Sequence, residues 1–414
     1  MSDNFKQRDV FSKILKFLKI PEILVLHGAR QVGKTTLMKM TINHLKENNI
    51  NNIFYFDLED KNFLDLCNSG LEEIIKYINA RKSPEIRKGE KIYLFIDEIQ
   101  YLDNPSGLLK MIYDHHKNDY KLVVSGSSSF AIKSKFKDSL VGRIIDLEIF
   151  GLNFKEFLNF KNYNYNLNED SDLANDELKK IYREYMLYGA YPQVVLVDNL
   201  ELKETYIENI IEKYIYKDIK DLANIKNIEK FNSLLKLLAS QSGQLLNTSE
   251  ISNTLGISRI TTDEYLFILE NTYIIKLIRP YYKNIRNELT KMPKIFFEDL
   301  GILNILKNKK LSDEINGSNF ENSIYCYLRQ KYSTKDINYW RTKSKQEIDF
   351  IVSAEDVIPL EVKLAFQDKN IKNLVYFANE YVIKNSYCVT LQKNASKYKN
   401  IKQIYPWEIE KLYI

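Results

Sequence analysis

An eight-residue loop near the N-terminus is the sequence feature that most constrains how this chain can fold. Residues 28–35 fit the pattern G-x-x-x-x-G-K-[ST] at every fixed position. An apolar run at residues 23–26 predicts a buried strand before the loop, and a helical segment follows it. Glycines in such a loop let backbone N–H groups face a phosphate, to which the next helix presents its positive end. The context favours a nucleotide-binding loop over a chance match.

The loop supplies most of the predicted nucleotide contacts. We expect Lys34 to reach the β- and γ-phosphates of ATP and the Thr35 hydroxyl to bind Mg²⁺. The predicted nucleotide-binding residues of this segment are Gly28, Ala29, Arg30, Gln31, Val32, Gly33, Lys34, Thr35 and Thr36.

Three further apolar runs, at residues 53–56, 92–96 and 122–124, alternate with helix-length segments. This alternation predicts an α/β fold with a parallel sheet covered on both faces. The third run ends in Asp97 and Glu98, at the edge of the sheet where ligands bind in such folds. We expect Asp97 to hold Mg²⁺ through water and Glu98 to orient the attacking water. Acids that merely end a strand are the plain alternative.

With this loop and acidic strand end, the sequence resembles the AAA+ class of P-loop ATPases. The resemblance implies a polar residue at the end of the fourth strand that senses the γ-phosphate, and Ser125 or Ser127 occupies that place. It also implies an arginine that reaches a neighbour's nucleotide, and Arg143 matches it. Such an arginine implies a homo-oligomer. Ordinary turn chemistry and a surface arginine are the competing interpretations.

From about residue 153 to residue 310 the pattern is mainly helical, and residues 247–282 predict a winged helix-turn-helix. Asn247 and Ser258 are placed to cap its two helices, and residues 274–278 predict a strand of the wing.

Charge leaves DNA binding and protein docking both open for this module. Bases would be read by Arg259, Thr261 and Thr262, but the same helix carries Asp263, Glu264 and Glu270, which repel phosphates. A denser basic stretch nearby suits nucleic acid better, although a solvated surface is the alternative. It consists of Arg279, Lys283, Arg286, Lys291 and Lys294, interleaved with Tyr281 and Tyr282.

Two alternating segments near the C-terminus predict a β-hairpin, residues 348–352 and 357–364. Asp349 and Glu361 are expected to lie beside one another across it. Adjacent carboxylates repel unless a cation lies between them, and Mg²⁺ or Mn²⁺ suits oxygen ligands. Lys363 can then position a water or stabilise phosphate charge. Pro359 suggests an edge strand.

Asp followed by Glu-x-Lys on the next strand resembles the PD-(D/E)xK nuclease superfamily, which includes Holliday-junction-resolvase-like enzymes. That resemblance implies that Glu321, from the preceding helix, joins Asp349 and Glu361 at the metal. The alternative is a half-exposed hairpin with charged side chains on its solvent-exposed face. The order of modules, and the motifs at residues 188–192, 294–301 and 339–341, resemble a family of prokaryotic and archaeal ATPases with a fused nuclease-like domain.

These patterns divide the chain into four predicted parts: an AAA+ core at 1–150, a helical lid at 151–210, a winged helix-turn-helix at 211–310 and a small α/β nuclease-like domain at 311–414. The predicted function is an ATPase coupled to metal-dependent DNA cleavage in DNA processing, repair or defence. It would use ATP and Mg²⁺, with Mn²⁺ also suited to the nuclease site. The rivals are a nucleotide-controlled switch that binds DNA or protein through an inactive nuclease-like domain, and an ATPase that regulates another protein without nucleic acid.

Composition narrows the remaining classes. A net charge of +5 over 414 residues gives no global basic field. Three cysteines without a Cys-x-x-Cys pair argue against a zinc or disulfide framework. No apolar run approaches the ~20 residues of a membrane span, and the first residues lack a signal-peptide core. We therefore expect a cytoplasmic protein without a membrane partner.

Overall fold

The computed structural model describes residues 5–81, 90–127, 140–167, 169, 171–219, 225–281, 291–308, 311 and 315–412. Tyr282, Lys283 and Arg286 of the predicted basic stretch lie outside these described residues. The chain divides into two compact units. The first comprises Met1–Gly151 with Asn271–Tyr273, and the second comprises Leu152–Glu270 with Ile274–Ile414.

A five-stranded parallel sheet forms the centre of the first unit, with strand order β2-β3-β4-β1-β5. Its strands are β1 (Ile23–His27), β2 (Ile53–Asp57), β3 (Ile92–Asp97), β4 (Tyr120–Gly126) and β5 (Ile144–Glu148). The predicted parallel sheet is therefore confirmed. Strands β1 and β4 are buried along their whole length, as expected for a sheet covered on both faces. This burial explains why their sequences are continuously apolar.

The helices of the first unit are α1 (Asp9–Phe17), α2 (Lys34–Glu47), α3 (Lys61–Asn68), α4 (Leu71–Arg81) and α5 (Pro105–His116). Gly33 precedes α2 in a left-handed conformation, with φ of 101°. An L-residue rarely adopts that angle, so a glycine here lets the chain pass directly from the loop into the helix.

Helices dominate the first half of the second unit, as predicted. They are α6 (Phe154–Phe160), α7 (Asp172–Tyr188), α8 (Pro192–Val195), α9 (Leu200–Ile210), a π-helix (Ile211–Asp218) and α10 (Ile228–Ser240). A capping box in which Asn153 and Glu156 exchange hydrogen bonds begins α6.

Two helices and a two-stranded antiparallel sheet follow. These elements are α11 (Thr248–Leu255), α12 (Arg259–Asn271), β6 (Ile275–Ile278) and β7 (Lys294–Phe297). The side chain of Asn247 accepts hydrogen bonds at the start of α11, and the N–H of Thr261 donates to Ser258 Oγ at 3.0 Å. Both predicted caps are therefore present, whereas the winged helix-turn-helix itself stays a prediction.

A second five-stranded sheet lies near the C-terminus, with strand order β12-β11-β10-β9-β8. Its strands are β8 (Ile337–Arg341), β9 (Glu347–Ser353), β10 (Val357–Ala365), β11 (Ser386–Gln392) and β12 (Ile401–Ile404), and the accompanying helices are α13 (Leu300–Asn308), α14 (Gly317–Lys331) and α15 (Lys372–Glu380). The predicted hairpin is β9–β10, which is antiparallel.

The expectation that Pro359 marks an edge strand is wrong, because β10 is the central strand of this sheet. Pro359 pairs with Ile351 of β9, but the parallel pairing with β11 begins only at Leu360. The missing N–H of the proline therefore falls just before β10 acquires its second neighbour.

Two of the motifs named above meet within the second unit. The Asp299 carboxylate accepts hydrogen bonds from the N–H groups of Ala190 at 2.8 Å and Ile302 at 3.0 Å. A Cβ on Gly189, whose φ is 77°, would collide with that carboxylate. Burial raises the pKa of Asp299 from 3.8 to about 6, against the lowering effect of these donors. The aspartate thus ties the turn after α7 to the start of α13.

Candidate nucleotide and metal sites

The loop between β1 and α2 curls around the side chain of Lys34. Its Nζ donates to the carbonyl oxygens of Gly28 at 3.0 Å and Ala29 at 2.8 Å. Burial lowers the pKa of this lysine to about 8, and the opposing charges of Glu98 and Asp97 offset part of the effect. The ammonium group is therefore held inside the loop, near the acids at the end of β3.

Close backbone packing explains why the first residue of the loop, Gly28, has no side chain. A Cβ on Gly28 would overlap the carbonyl oxygen of Ile149, which follows β5. Within the same loop Gln31 has φ of 65°, a left-handed angle uncommon for a residue with a side chain. Arg30 contacts Glu59 at 3.4 Å, while Thr36 lies exposed in the first turn of α2.

The carboxylate of Asp97 is surrounded by hydroxyl donors. Its Oδ2 accepts from Thr35 Oγ1 at 2.8 Å and from the Tyr55 hydroxyl at 2.7 Å. Its Oδ1 accepts from Ser125 Oγ. The structure thus brings together three predicted residues, the loop threonine, the strand-end aspartate and the serine at the end of β4.

Glu98 lies beside this carboxylate, in a left-handed backbone conformation with φ of 55°. Its Oε2 accepts hydrogen bonds from Ser127 Oγ at 2.8 Å and from Gln100 Nε2. The two alternative serines therefore contact different acids, Ser125 contacting Asp97 and Ser127 contacting Glu98. Hydroxyl and carboxylate oxygens are the donor set that Mg²⁺ prefers, so Thr35 and Asp97 fit the predicted metal.

Arg143 forms an ion pair within its own unit. Its Nε donates to Asp114 Oδ1 at 2.7 Å, and its Nη2 donates to Asp114 Oδ2 at 3.2 Å. The two bonds form the bidentate geometry that arginine makes with a carboxylate.

Sequence reasoning missed Arg8, which braces the loop. Its guanidinium donates to the carbonyl oxygens of Val32 at 3.0 Å, Phe150 at 2.9 Å and Gly151 at 3.3 Å. It also missed Tyr55. Neither residue belongs to a motif, so the sequence carries no local signal for these contacts.

A second group of charged residues lies in the second unit. Lys363 Nζ is 2.8 Å from Asp349 Oδ2 and 2.7 Å from Glu361 Oε1, so the lysine joins the two carboxylates of the hairpin. The backbone N–H of Val362 also donates to Asp349 Oδ2 at 2.8 Å. These three predicted catalytic residues are brought together.

Their carboxyl groups are electrostatically unequal. Burial, and then the charge of Asp349, raise the pKa of Glu361 to about 8. Burial acts in the same direction on Asp349, but Lys363 and Lys294 hold the pKa of that residue below its ordinary value. Glu361 Oε2 is buried and has no hydrogen-bond partner among the described residues. An unpaired carboxylate oxygen beside a second carboxylate fits a divalent cation.

Glu321, the third predicted metal ligand, is paired with a lysine. Its Oε1 lies 3.0 Å from Lys294 Nζ, and Lys294 also lies 2.6 Å from Glu347 Oε1. Burial raises the pKa of Glu321 to about 7, although Lys294 opposes this. In the part of the chain that the structure describes, no group of three or more His, Cys, Asp or Glu side chains is arranged to hold a metal ion. Lys294 is also buried and does not belong to a solvated basic surface.

Three segments of the chain match known protein families. Residues 21–158 match the family described as "AAA domain". This part of the chain is similar to AAA domains. Residues 179–313 match "Domain of unknown function (DUF8612)", and residues 316–409 match "Domain of unknown function (DUF4143)". The AAA+ part of the prediction is thereby confirmed, while the winged helix and the nuclease stay predictions.

Similar proteins occur in bacteria and archaea. An uncharacterized protein of Haemophilus influenzae is 29% identical over 368 residues, which cover 87% of this chain and 86% of the relative. An uncharacterized protein of Methanocaldococcus jannaschii is 28% identical over 374 residues, covering 88% of this chain and 80% of the relative.

Among solved structures, a Walker-type ATPase of Pyrococcus abyssi matches 74% of this chain and 97% of its own, with 14% identity and a TM-score of 0.48. AMPPCP-bound DnaA from Aquifex aeolicus matches 65% of this chain and 90% of its own, with 17% identity and a TM-score of 0.30. In the described part of this chain, no helix has the length and apolarity that crossing a membrane requires.

Proposed function

We propose that this chain is a Mg²⁺-dependent ATPase of the AAA+ type. The observation that carries the proposal is the 2.8 Å hydrogen bond between Thr35 and Asp97, made next to the buried ammonium of Lys34. It joins the loop that would bind phosphates to the strand end that would hold the metal.

Each group has a distinct task in this proposal. Lys34 would turn from the loop carbonyls to the β- and γ-phosphates, and Thr35 and Asp97 would hold Mg²⁺. The Mg²⁺ held by these two residues would supply positive charge to offset the charge that develops on the transferred phosphoryl group. Glu98 would orient the attacking water. Its position directly after Asp97 suits this task, because Asp97 would hold the metal.

The test is an ATPase assay with Mg²⁺ on three variants. We expect Lys34→Ala to abolish ATP binding, and Glu98→Gln to keep binding but lower turnover by about 10²–10⁴-fold. Glu47→Gln, at the exposed C-terminal end of α2, is the matched control and should behave as the parent. Undiminished turnover in Glu98→Gln would remove Glu98 from the mechanism.

We further propose metal-dependent DNA cleavage at the cluster of Asp349, Glu361 and Lys363. The specific observation in its favour is the buried, unpaired Oε2 of Glu361 beside the lysine that joins both carboxylates. Asp349 and Glu361 would hold Mg²⁺ or Mn²⁺, and the metal would supply activation of a water for attack on phosphorus. Lys363 would stabilise negative charge on the scissile phosphate. ATP turnover would then move or load the DNA.

Branched, linear and single-stranded DNA with Mg²⁺ or Mn²⁺ test this second activity. Lys363→Ala should lose cleavage, whereas Lys343→Ala, on the exposed turn before β9, should retain it. Cleavage that persists in Lys363→Ala would indicate a contaminating nuclease. Tight DNA binding without cleavage would favour a nucleotide-controlled switch, and no binding at low, stated salt would favour an ATPase that acts on another protein.

The assembly proposal rests on Arg143. If the arginine leaves Asp114 and reaches a neighbour's nucleotide, the active form is a homo-oligomer. In the same proposal an AAA+ core at 1–150 is followed by a helical lid at 151–210, a winged helix-turn-helix at 211–310 and a nuclease-like domain at 311–414.

A further inference from the structure

We propose that Lys294 is a built-in cation of the C-terminal carboxylate cluster, which takes Glu321 as its counter-ion and limits the site to a single divalent ion on Asp349 and Glu361. The inference rests on the proposed metal-dependent cleavage and adds the number of metal ions and the ligand set.

The position of Lys294 supports this role. The residue opens β7, outside the hairpin, and only 2% of it is exposed. Lysines are seldom buried so completely unless they are paired. Its Nζ lies 3.0 Å from Glu321 Oε1 and 2.6 Å from Glu347 Oε1, and 5.7 Å from the centre of the Tyr339 ring. Two carboxylates and an aromatic face therefore surround one ammonium group.

Lys294 and Lys363 act on the same carboxylate, Asp349, so both lysines belong to one group of interacting charges. Lys294 Nζ lies within ion-pair distance of both Glu321 and Glu347, and this double pairing favours the charged side chain. Lys294 acts on Asp349 as well as on Glu321. The ammonium group thus supplies positive charge to both carboxylates, Glu321 and Asp349, that a metal ion shared by them would otherwise neutralise.

Counting charges explains why one divalent ion suffices. The carboxylates of Glu321, Glu347, Asp349 and Glu361 face Lys294, Lys363 and Arg341, whose guanidinium is 2.9 Å from Glu347. With all four carboxyl groups ionised, as a bound cation favours, one negative charge is left uncompensated in this set. A single divalent ion together with one DNA phosphate would balance it, whereas a second ion would add an excess of positive charge in a buried site.

The ligand geometry agrees with the charge count. Glu361 Oε2 is buried and lacks a hydrogen-bond partner among the described residues, while Glu321 already spends Oε1 on Lys294. The buried carboxylate oxygen that lacks a partner is therefore on the hairpin, and we take it as the oxygen that a metal ion would use.

The experiment measures Mn²⁺ bound per chain by electron paramagnetic resonance of free Mn²⁺, with the full-length protein and no nucleotide. We expect one ion in the parent, one ion of unchanged affinity in Glu321→Gln, and a second ion in Lys294→Met. Lys294→Arg retains the charge and should bind one ion. Asp349→Asn should lose at least tenfold in affinity.

Two results would overturn the role of Lys294 alone: a tenfold loss of Mn²⁺ affinity in Glu321→Gln, or a single ion in a folded Lys294→Met. If Lys294→Met does not fold, the Glu321→Gln and Lys294→Arg measurements decide the matter. Mn²⁺ binding that is absent from the parent and all variants, or unaffected by Asp349→Asn, would instead overturn the metal site of the proposed cleavage and the inference with it.

Discussion

The Thr35 hydroxyl donates a hydrogen bond to Asp97 at 2.8 Å, although 62 residues separate the two in the chain. The same carboxylate oxygen accepts from the hydroxyl of Tyr55 at 2.7 Å, across the neighbouring strands β2 and β3. Thr35 belongs to the phosphate-binding motif, whereas Tyr55 does not. Tyr55 therefore helps to fix the direction of the carboxylate from outside the motif.

The first prediction concerns Tyr55→Phe, which removes only that hydroxyl. Loss of one hydrogen bond of about 1 kcal/mol should raise the Mg²⁺ concentration needed for half-maximal ATP turnover by roughly fivefold. Turnover at saturating Mg²⁺ should change little, because Glu98 is untouched. Tyr376→Phe, an exposed position in the other unit, serves as the control. An unchanged Mg²⁺ dependence would show that Thr35 and Ser125 orient Asp97 by themselves.

The second prediction concerns Arg8→Ala. Arg8 donates to three carbonyl groups on either side of the loop, and its removal leaves Val32 O without this partner. Losing hydrogen bonds from a charged group should lower the free energy of unfolding by about 2 kcal/mol. ATP affinity should fall as well, because the loop loses its brace.

Thermal unfolding and nucleotide titration test the Arg8 prediction together. Lys46→Ala, at an exposed site on α2, is the control for loss of a positive charge. A lower melting temperature with unchanged ATP affinity would assign Arg8 to stability alone.

The third prediction concerns Gly28→Ala. The added Cβ would overlap the carbonyl oxygen of Ile149, so the backbone of the loop must move. We expect a loss of ATP binding of at least tenfold. Gly317→Ala adds the same methyl group at a helix start where nothing lies within 4 Å, and it should leave binding unchanged. Retained ATP affinity in Gly28→Ala would mean that the loop tolerates displacement.

Much of the first unit followed from its sequence because continuous apolar runs predict fully buried parallel strands. The strand that was missed is β5, whose residues are intermediate or exposed and whose sequence, Ile144-Ile145-Asp146-Leu147-Glu148, lacks a continuous apolar run. The other edge strand, β2, is also mostly half-buried, but its apolar run at residues 53–56 made it predictable. The carboxyl-edge acids were placed by the same argument, and they do lie next to the loop.

The parts that the sequence did not indicate depend on contacts between distant segments. Arg8 and Lys294 are ordinary basic residues in their local context, and Lys294 was grouped with a basic surface. Only folding buries Lys294 against Glu321 and Glu347. The edge-strand prediction from Pro359 was wrong for a related reason, because β10 pairs with a second strand, β11, from the next residue onward.

The last prediction concerns the pH dependence of stability through Asp299. Its pKa is about 6 in the folded protein and near the ordinary 3.8 when the chain is unfolded. Between these values the folded state binds more protons, so the contribution of this group is fully present below pH 3.8 and is lost as the pH rises through about 6. Asp299→Asn cannot titrate. The unfolding free energy of the variant minus that of the parent should therefore rise by up to about 3 kcal/mol from pH 4 to pH 7. Urea unfolding at several pH values measures this difference, and Asp356→Asn, on the exposed turn of the hairpin, should give a flat one. A difference that falls with pH would mean that the N–H groups of Ala190 and Ile302 outweigh burial and hold the carboxyl ionised.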